Sequence, residues 1–168
     1  MTPEFPRPHR LGPDPRDVVL EADAAERAAL TARFGILAIH ALSGRLALRP
    51  EPGGTVRARG TLSAVVEQEC VVTLEPVRQA VEASLDLRIL DEGEVPADDD
   101  PDSPDEIESA GGIVDLGEAV AEQLALALDP YPRAAGAELP ELDPPEPAAP
   151  EPPAKRNPFA ALAKLKDG

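Results

Sequence analysis

The sequence predicts an α+β fold, in which a twisted antiparallel β-sheet is packed by a long helix. Between residues 36 and 90 the apolar side chains recur at every second position, the mark of half-buried strands. Segments with helical spacing and capping signals stand before and after that region. The chain has 168 residues and one cysteine, enough length for an apolar core and no means of stapling it with internal disulfides. Whether the sheet stays open or becomes barrel-like by closing is left undecided by the pattern.

Residues 1–17 hold five prolines and predict an extended N-terminal segment. A single α+β domain is expected over 18–139. It opens with Val18-Val19-Leu20, an edge strand by its brevity. Asp23 and Glu26 form a capping box for a helix over 24–34, which Gly35 ends. The first long strand follows at 42–49, where Leu42, Gly44, Leu46 and Leu48 alternate with Ser43, Arg45, Ala47 and Arg49. Pro50-Glu51-Pro52-Gly53-Gly54 is a turn, and alternation resumes at Val56, Ala58, Leu62, Ala64 and Val66. Val71-Val72-Thr73-Leu74 is expected to continue or bend this second strand. The third strand sets Val77, Val81, Ala83, Leu85, Leu87 and Ile89 against Arg78, Glu82, Ser84, Asp86 and Arg88.

An acidic flexible loop is expected at 91–112, because 91–108 holds ten acidic and no basic residues. Asp115 and Glu118 then begin a helix whose apolar face is Leu116, Ala119, Val120, Leu124, Ala127 and Leu128, and Pro130 and Pro132 end it. The stretch 140–156 reads as a Pro-rich linker, with 140–153 half proline. Asn157-Pro158 caps a short C-terminal amphipathic helix within 157–168, with Phe159, Leu162 and Leu165 on one side as partner-docking candidates.

The net charge of −16 is unevenly placed. Residues 1–90 carry 11 arginines against 12 acidic residues, so the acidity belongs to the second half of the chain. No apolar run approaches the ~20 residues that span a bilayer. The N-terminus has no apolar signal region, so a cytoplasmic protein is expected, with neither a membrane nor a small-molecule substrate as partner.

Catalytic constellations are absent from the pattern. Cys70 lies on the inward parity of the second strand and reads as a buried structural residue. A nucleophilic thiol needs a base beside it, and the two histidines, His9 and His40, stand in the lead-in and at a sheet border. Neither His-x-x-x-His nor Cys-x-x-Cys occurs. The run Asp98 to Asp105 is interrupted by prolines, lacks the glycine of a calcium loop and follows a strand, and no glycine pattern suits a phosphate loop. No metal, cofactor or enzymatic activity is therefore expected.

The informative polar signal is basic. By parity Arg45, Arg49, Arg57, Arg59, Arg78 and Arg88 share the wet face of the sheet with Glu67, Glu69, Glu82 and Asp86, an excess of two positive charges. Cross-strand ion pairing explains such a face, and so does contact with RNA phosphates. The six arginines are the RNA-binding candidates, without aromatic residues for base stacking.

Several short motifs stand in a recognisable order: Glu69-Cys70-Val71-Val72-Thr73-Leu74-Glu75-Pro76, an acidic stretch, Ile113-Val114-Asp115-Leu116-Gly117-Glu118, Leu128-Asp129-Pro130-Tyr131-Pro132, and Asn157-Pro158-Phe159-Ala160-Ala161-Leu162. In this the chain resembles the YceD family, the large ribosomal RNA subunit accumulation proteins of bacteria and plastids, over roughly residues 15–166. The resemblance implies a noncatalytic role in 23S rRNA accumulation or processing, with precursor large-subunit rRNA or a ribosomal protein as partner. The alternative is an acidic module, or chaperone, for a basic protein. Many members carry Cys-x-x-Cys where this chain has Cys70-Val71-Val72-Thr73, and a second cysteine pair beyond the long helix, where Pro130 to Leu142 has none. A zinc role in relatives is therefore not carried over. Cys70, Asp115, Leu116, Glu118, Pro130, Pro158, Phe159 and Leu162 match as structural or docking positions.

Overall fold

Alternation carries the sheet. In the computed structural model, which describes residues 3–94 and 103–138, three long strands form antiparallel hairpins: β3 (Ala38–Pro50), β4 (Val56–Glu69) and β5 (Pro76–Leu90). Their inward residues, among them Leu42, Leu46, Leu62, Val66, Leu87 and Ile89, are buried in one core cluster. Before them come β1 (Pro8–Arg10), β2 (Arg16–Glu21) and α1 (Ala24–Phe34). After them come β6 (Asp105–Glu108), β7 (Ile113–Asp115) and α2 (Leu116–Ala127). All these elements belong to the unit Met1–Ala137.

The main sheet has the order β2-β3-β4-β5-β6 and is open, with β2 and β6 at its edges. It is not closed into a barrel. Nor is it wholly antiparallel, since β6 runs parallel to β5, with Leu87 opposite Asp105 and Leu90 opposite Glu108. Ile107 packs on the core and β6 adds backbone pairing, so residues 105–108 of the expected acidic loop are strand. Residues 95–102, the Pro-rich linker 140–156 and the C-terminal 157–168, with Phe159, Leu162 and Leu165, lie outside the described residues.

Both helices are capped as their sequences require. Asp23 accepts a hydrogen bond from Glu26 N at 2.9 Å while Glu26 accepts one from Asp23 N at 2.8 Å. Gly35 closes α1 in the left-handed region at φ 64°. At α2, Asp115 accepts from the backbone N–H groups of Gly117 and Glu118. The α2 face Leu116, Ala119, Val120 and Leu124 is buried against the sheet. Val120 seats over Gly44 of β3, where an added Cβ would approach its methyl to 3.0 Å.

Two local expectations are corrected. Residues 70–74 form the turn between β4 and β5 and do not prolong the strand, with Leu74 N donating to Cys70 O at 3.0 Å and Leu74 at φ 62°. The N-terminal segment is part of the packed domain and not merely a lead-in: Phe5 is fully buried and β1 pairs with β7. Arg7 explains this anchoring. Its guanidinium forks onto Glu26 of α1 at 2.6 and 2.9 Å, and its backbone N–H donates to Asp115 at the start of α2 at 2.8 Å. Arg33 adds a second tie, reaching both Glu4 and Glu118.

Candidate nucleic-acid interface

Register decides which side chains share the outer face of the sheet. Arg49 is opposite Arg57, Arg57 opposite Arg88, Arg59 opposite Asp86 and Arg78 opposite Glu67. Arg45 is opposite Thr61, and Thr61 has the parity of Arg57 and Arg59. The ladder therefore sets all six candidate arginines on one face.

The electrostatic balance differs from the expected one. Edge strand β2 brings Asp17 and Glu21 to the same face, in register with Ala47 and Ser43, and β6 brings Glu106 beside Arg88. Six arginines thus share these rows with seven carboxylates, so the excess of two positive charges is lost. The alternation Asp17, Val19, Glu21 was readable along β2; the arrival of Glu106 was not, because it depends on a parallel pairing across the acidic segment.

The arginines also fall into distinct groups. Arg57 is bidentate on Asp86, with Nη2 to Oδ2 at 2.8 Å, and Arg88 lies 3.6 Å from both Glu51 and Glu106. Arg57 holds the Asp86 carboxyl below the usual carboxylate range, first through their hydrogen bond and then through charge. The side chains of Arg57 and Arg88 are 15% and 29% exposed, so they serve the sheet itself. Arg49 (50%) pairs with Asp17 at 2.9 Å, and Arg59 (65%) reaches Asp86 only at 3.3 Å. Arg45 and Arg78 have no ion-pair partner within 4.0 Å among the described residues. His40, at a β-bulge of β3, hydrogen-bonds Glu67 at 3.1 Å on this face.

Cys70 occupies a different place, at the end of β4. It is fully buried, as its parity predicts. Its Sγ accepts hydrogen bonds from the backbone N–H groups of Ala134 at 3.2 Å and Thr73 at 3.4 Å. The Thr73 side chain and these N–H groups draw the thiol down to about 7. Val71 N donates to Pro132 O at 2.9 Å, so the turn 70–74 and the segment after α2 lie side by side. These are the two segments in which the resemblance implies paired cysteines. One thiolate among backbone donors does not make the four-ligand set that zinc requires, and the described residues hold no cluster of three or more His, Cys, Asp or Glu suited to a metal. One hydrogen bond to sulfur, from Ala134 N, and the backbone bond from Val71 N to Pro132 O join the segments here.

No helix among the described residues is long and apolar enough to cross a membrane. No curated protein and no solved structure gives a match. A sequence model described as large ribosomal RNA subunit accumulation protein YceD matches residues 58–166, more than half of the chain, from β4 through α2 to the C-terminal Phe159-Ala160-Ala161-Leu162 motif. On that match the chain belongs to the YceD family.

Proposed function

We propose that this chain is a noncatalytic factor in large ribosomal subunit biogenesis, supporting 23S rRNA accumulation or processing by binding a component of the precursor subunit. The family match over residues 58–166 carries the reading. The arrangement of reactive groups supports it: Cys70 is buried and its described hydrogen bonds come from backbone N–H groups, whereas His40 is spent on Glu67. The partner-facing surface of this reading is the outer sheet face, which presents guanidinium groups without aromatic residues.

Depletion in cells that express the protein tests the reading. The ratio of 23S to 16S rRNA should fall, and either the full chain or its Cys70→Ser variant should restore it. An unchanged ratio on depletion would overturn the role, and failure of a folded Cys70→Ser variant to restore it would overturn the noncatalytic part.

A second reading has its own support. The outer face carries at least as much acid as base, and residues 91–108 hold ten carboxylates, Glu106 of that face among them, so the chain suits a basic ribosomal protein by charge complementarity. Replacing Asp98, Asp99, Asp100 and Asp102 with Asn leaves β6 intact and should weaken such binding. Equal retention of ribosomal proteins by this variant would count against the reading.

A further inference from the structure

We propose that a cleft on the outer face of β2, β3 and β4, edged by Arg45, Arg49 and Arg59, binds the phosphodiester backbone of RNA. This rests on the role in large-subunit RNA accumulation argued above and adds the place and chemistry of contact.

The cleft measures about 360 Å³. Its floor is low because Ala47, between Arg45 and Arg49 on β3, offers only a methyl group, and the Gly60 backbone lines it beside Arg59. An added Cβ at Gly60 would collide with the Arg45 carbonyl oxygen, so glycine lets β3 and β4 approach and coil there. Arg45 and Arg49 are four residues apart on β3, about 13 Å at ~3.3 Å per residue. Arg59 stands between them, opposite Ala47 on β4. The three arginines therefore stand at the corners of a triangle around the cleft, Arg49 now turned to Asp17 and Arg59 to Asp86.

These arginines are also free to change partner, as is Arg78, which lies away from the cleft. Across the sheet Arg45 faces Val19 on one side and Thr61 on the other, neither of them an acid. Arg59 shares an Asp86 that Arg57 already holds bidentate. Arg49 and Asp17 form an exposed pair, of a kind worth less than about 1 kcal/mol, which a phosphate can replace. A guanidinium fork takes two phosphate oxygens, and three forks around one cleft suit a polyanion with repeated phosphates better than a single carboxylate. The cleft has no aromatic ring, so it engages the backbone without stacking on bases, and binding should be indifferent to sequence.

Filter binding of the purified full chain to a precursor 23S transcript, from 50 to 200 mM salt on the order of the range that resolves phosphate contacts, tests the site. Three phosphates at about 0.7 each predict that Arg45→Ala/Arg49→Ala/Arg59→Ala flattens the slope of log affinity against log salt by about 2. Arg45→Gln, which breaks no described ion pair, should flatten it by about 0.7 and serves if the triple variant does not fold. Arg133→Ala, an exposed arginine elsewhere, should leave the slope unchanged. If the parent binds and neither cleft variant alters the slope, the cleft is wrong while the accumulation role stands on its own depletion test. If the parent binds no RNA at low salt but retains a basic ribosomal protein, the RNA contact itself is overturned.

Discussion

The Thr73 side chain and the backbone N–H groups of Ala134 and Thr73 hold the buried Cys70 thiol at about 7. Its burial followed from parity with Leu62, Ala64 and Val66 on β4. Its hydrogen bonds could not follow, since one donor belongs to Ala134, far along the chain. The consequence is a pH dependence of known sign. A thiol at about 7 in the fold and 9.0 ordinarily favours the folded state fully above pH 9, and that contribution is lost as pH falls through about 7. Thiolate absorbance should therefore titrate near 7 in the native protein and near 9 in denaturant. Stability should rise between those values in the parent, with the rise absent from Cys70→Ser. A native midpoint near 9 would contradict this account of the turn. Gly60 makes a second prediction at this scale. Gly60→Ala must displace backbone at Arg45, whereas Gly44→Ala meets only a Val120 methyl, which can shift. Chemical denaturation should show Gly60→Ala lowering stability by at least about 2 kcal/mol and Gly44→Ala by clearly less.

Among the elements, those whose signals lie within a few residues were legible. The capping box of α1, its Gly35 stop, the Asp115 cap of α2 and the three alternating strands all depend on neighbours in sequence. The N-terminal segment and β6 depend on distant ones. Five prolines weaken a hydrogen-bonded ladder but do not prevent one aromatic ring from filling a core, and Phe5 does so beneath the Arg7 guanidinium, 4.6 Å from its ring centre. Phe5→Ala should destabilise the whole domain by about 3–5 kcal/mol in a single cooperative transition. Loss of only a local signal would show that the segment is peripheral. Glu26 adds an acid-sensitive latch: its hydrogen bond with Arg7 holds its pKa below the usual carboxylate range. The latch is intact above that range and is lost as pH falls through the lowered value. Hydrogen exchange in residues 5–10 should rise under acid before exchange in β4 and β5 does.

At the scale of the molecule, charge read along the chain and charge read across the sheet gave different pictures. Parity alone set six arginines on one face, because each hairpin repeats every two residues. It missed the acids that neutralise them, because Asp17, Glu21 and Glu106 come from the two edge strands. The neutralised part of the face near β5 and β6 is a structural ion-pair network, and the part near β2 and β3 keeps exposed guanidinium groups around a cleft. On the proposed reading, a chain of net charge −16 would meet RNA through a small basic site, and the contact should weaken as salt rises. The central claim is that this family member acts on the large-subunit precursor. Sequencing the RNA that copurifies with the tagged full chain after crosslinking in cells tests it most directly: precursor 23S rRNA should be enriched over 16S rRNA, and equal recovery of the two, or of neither, would contradict the claim.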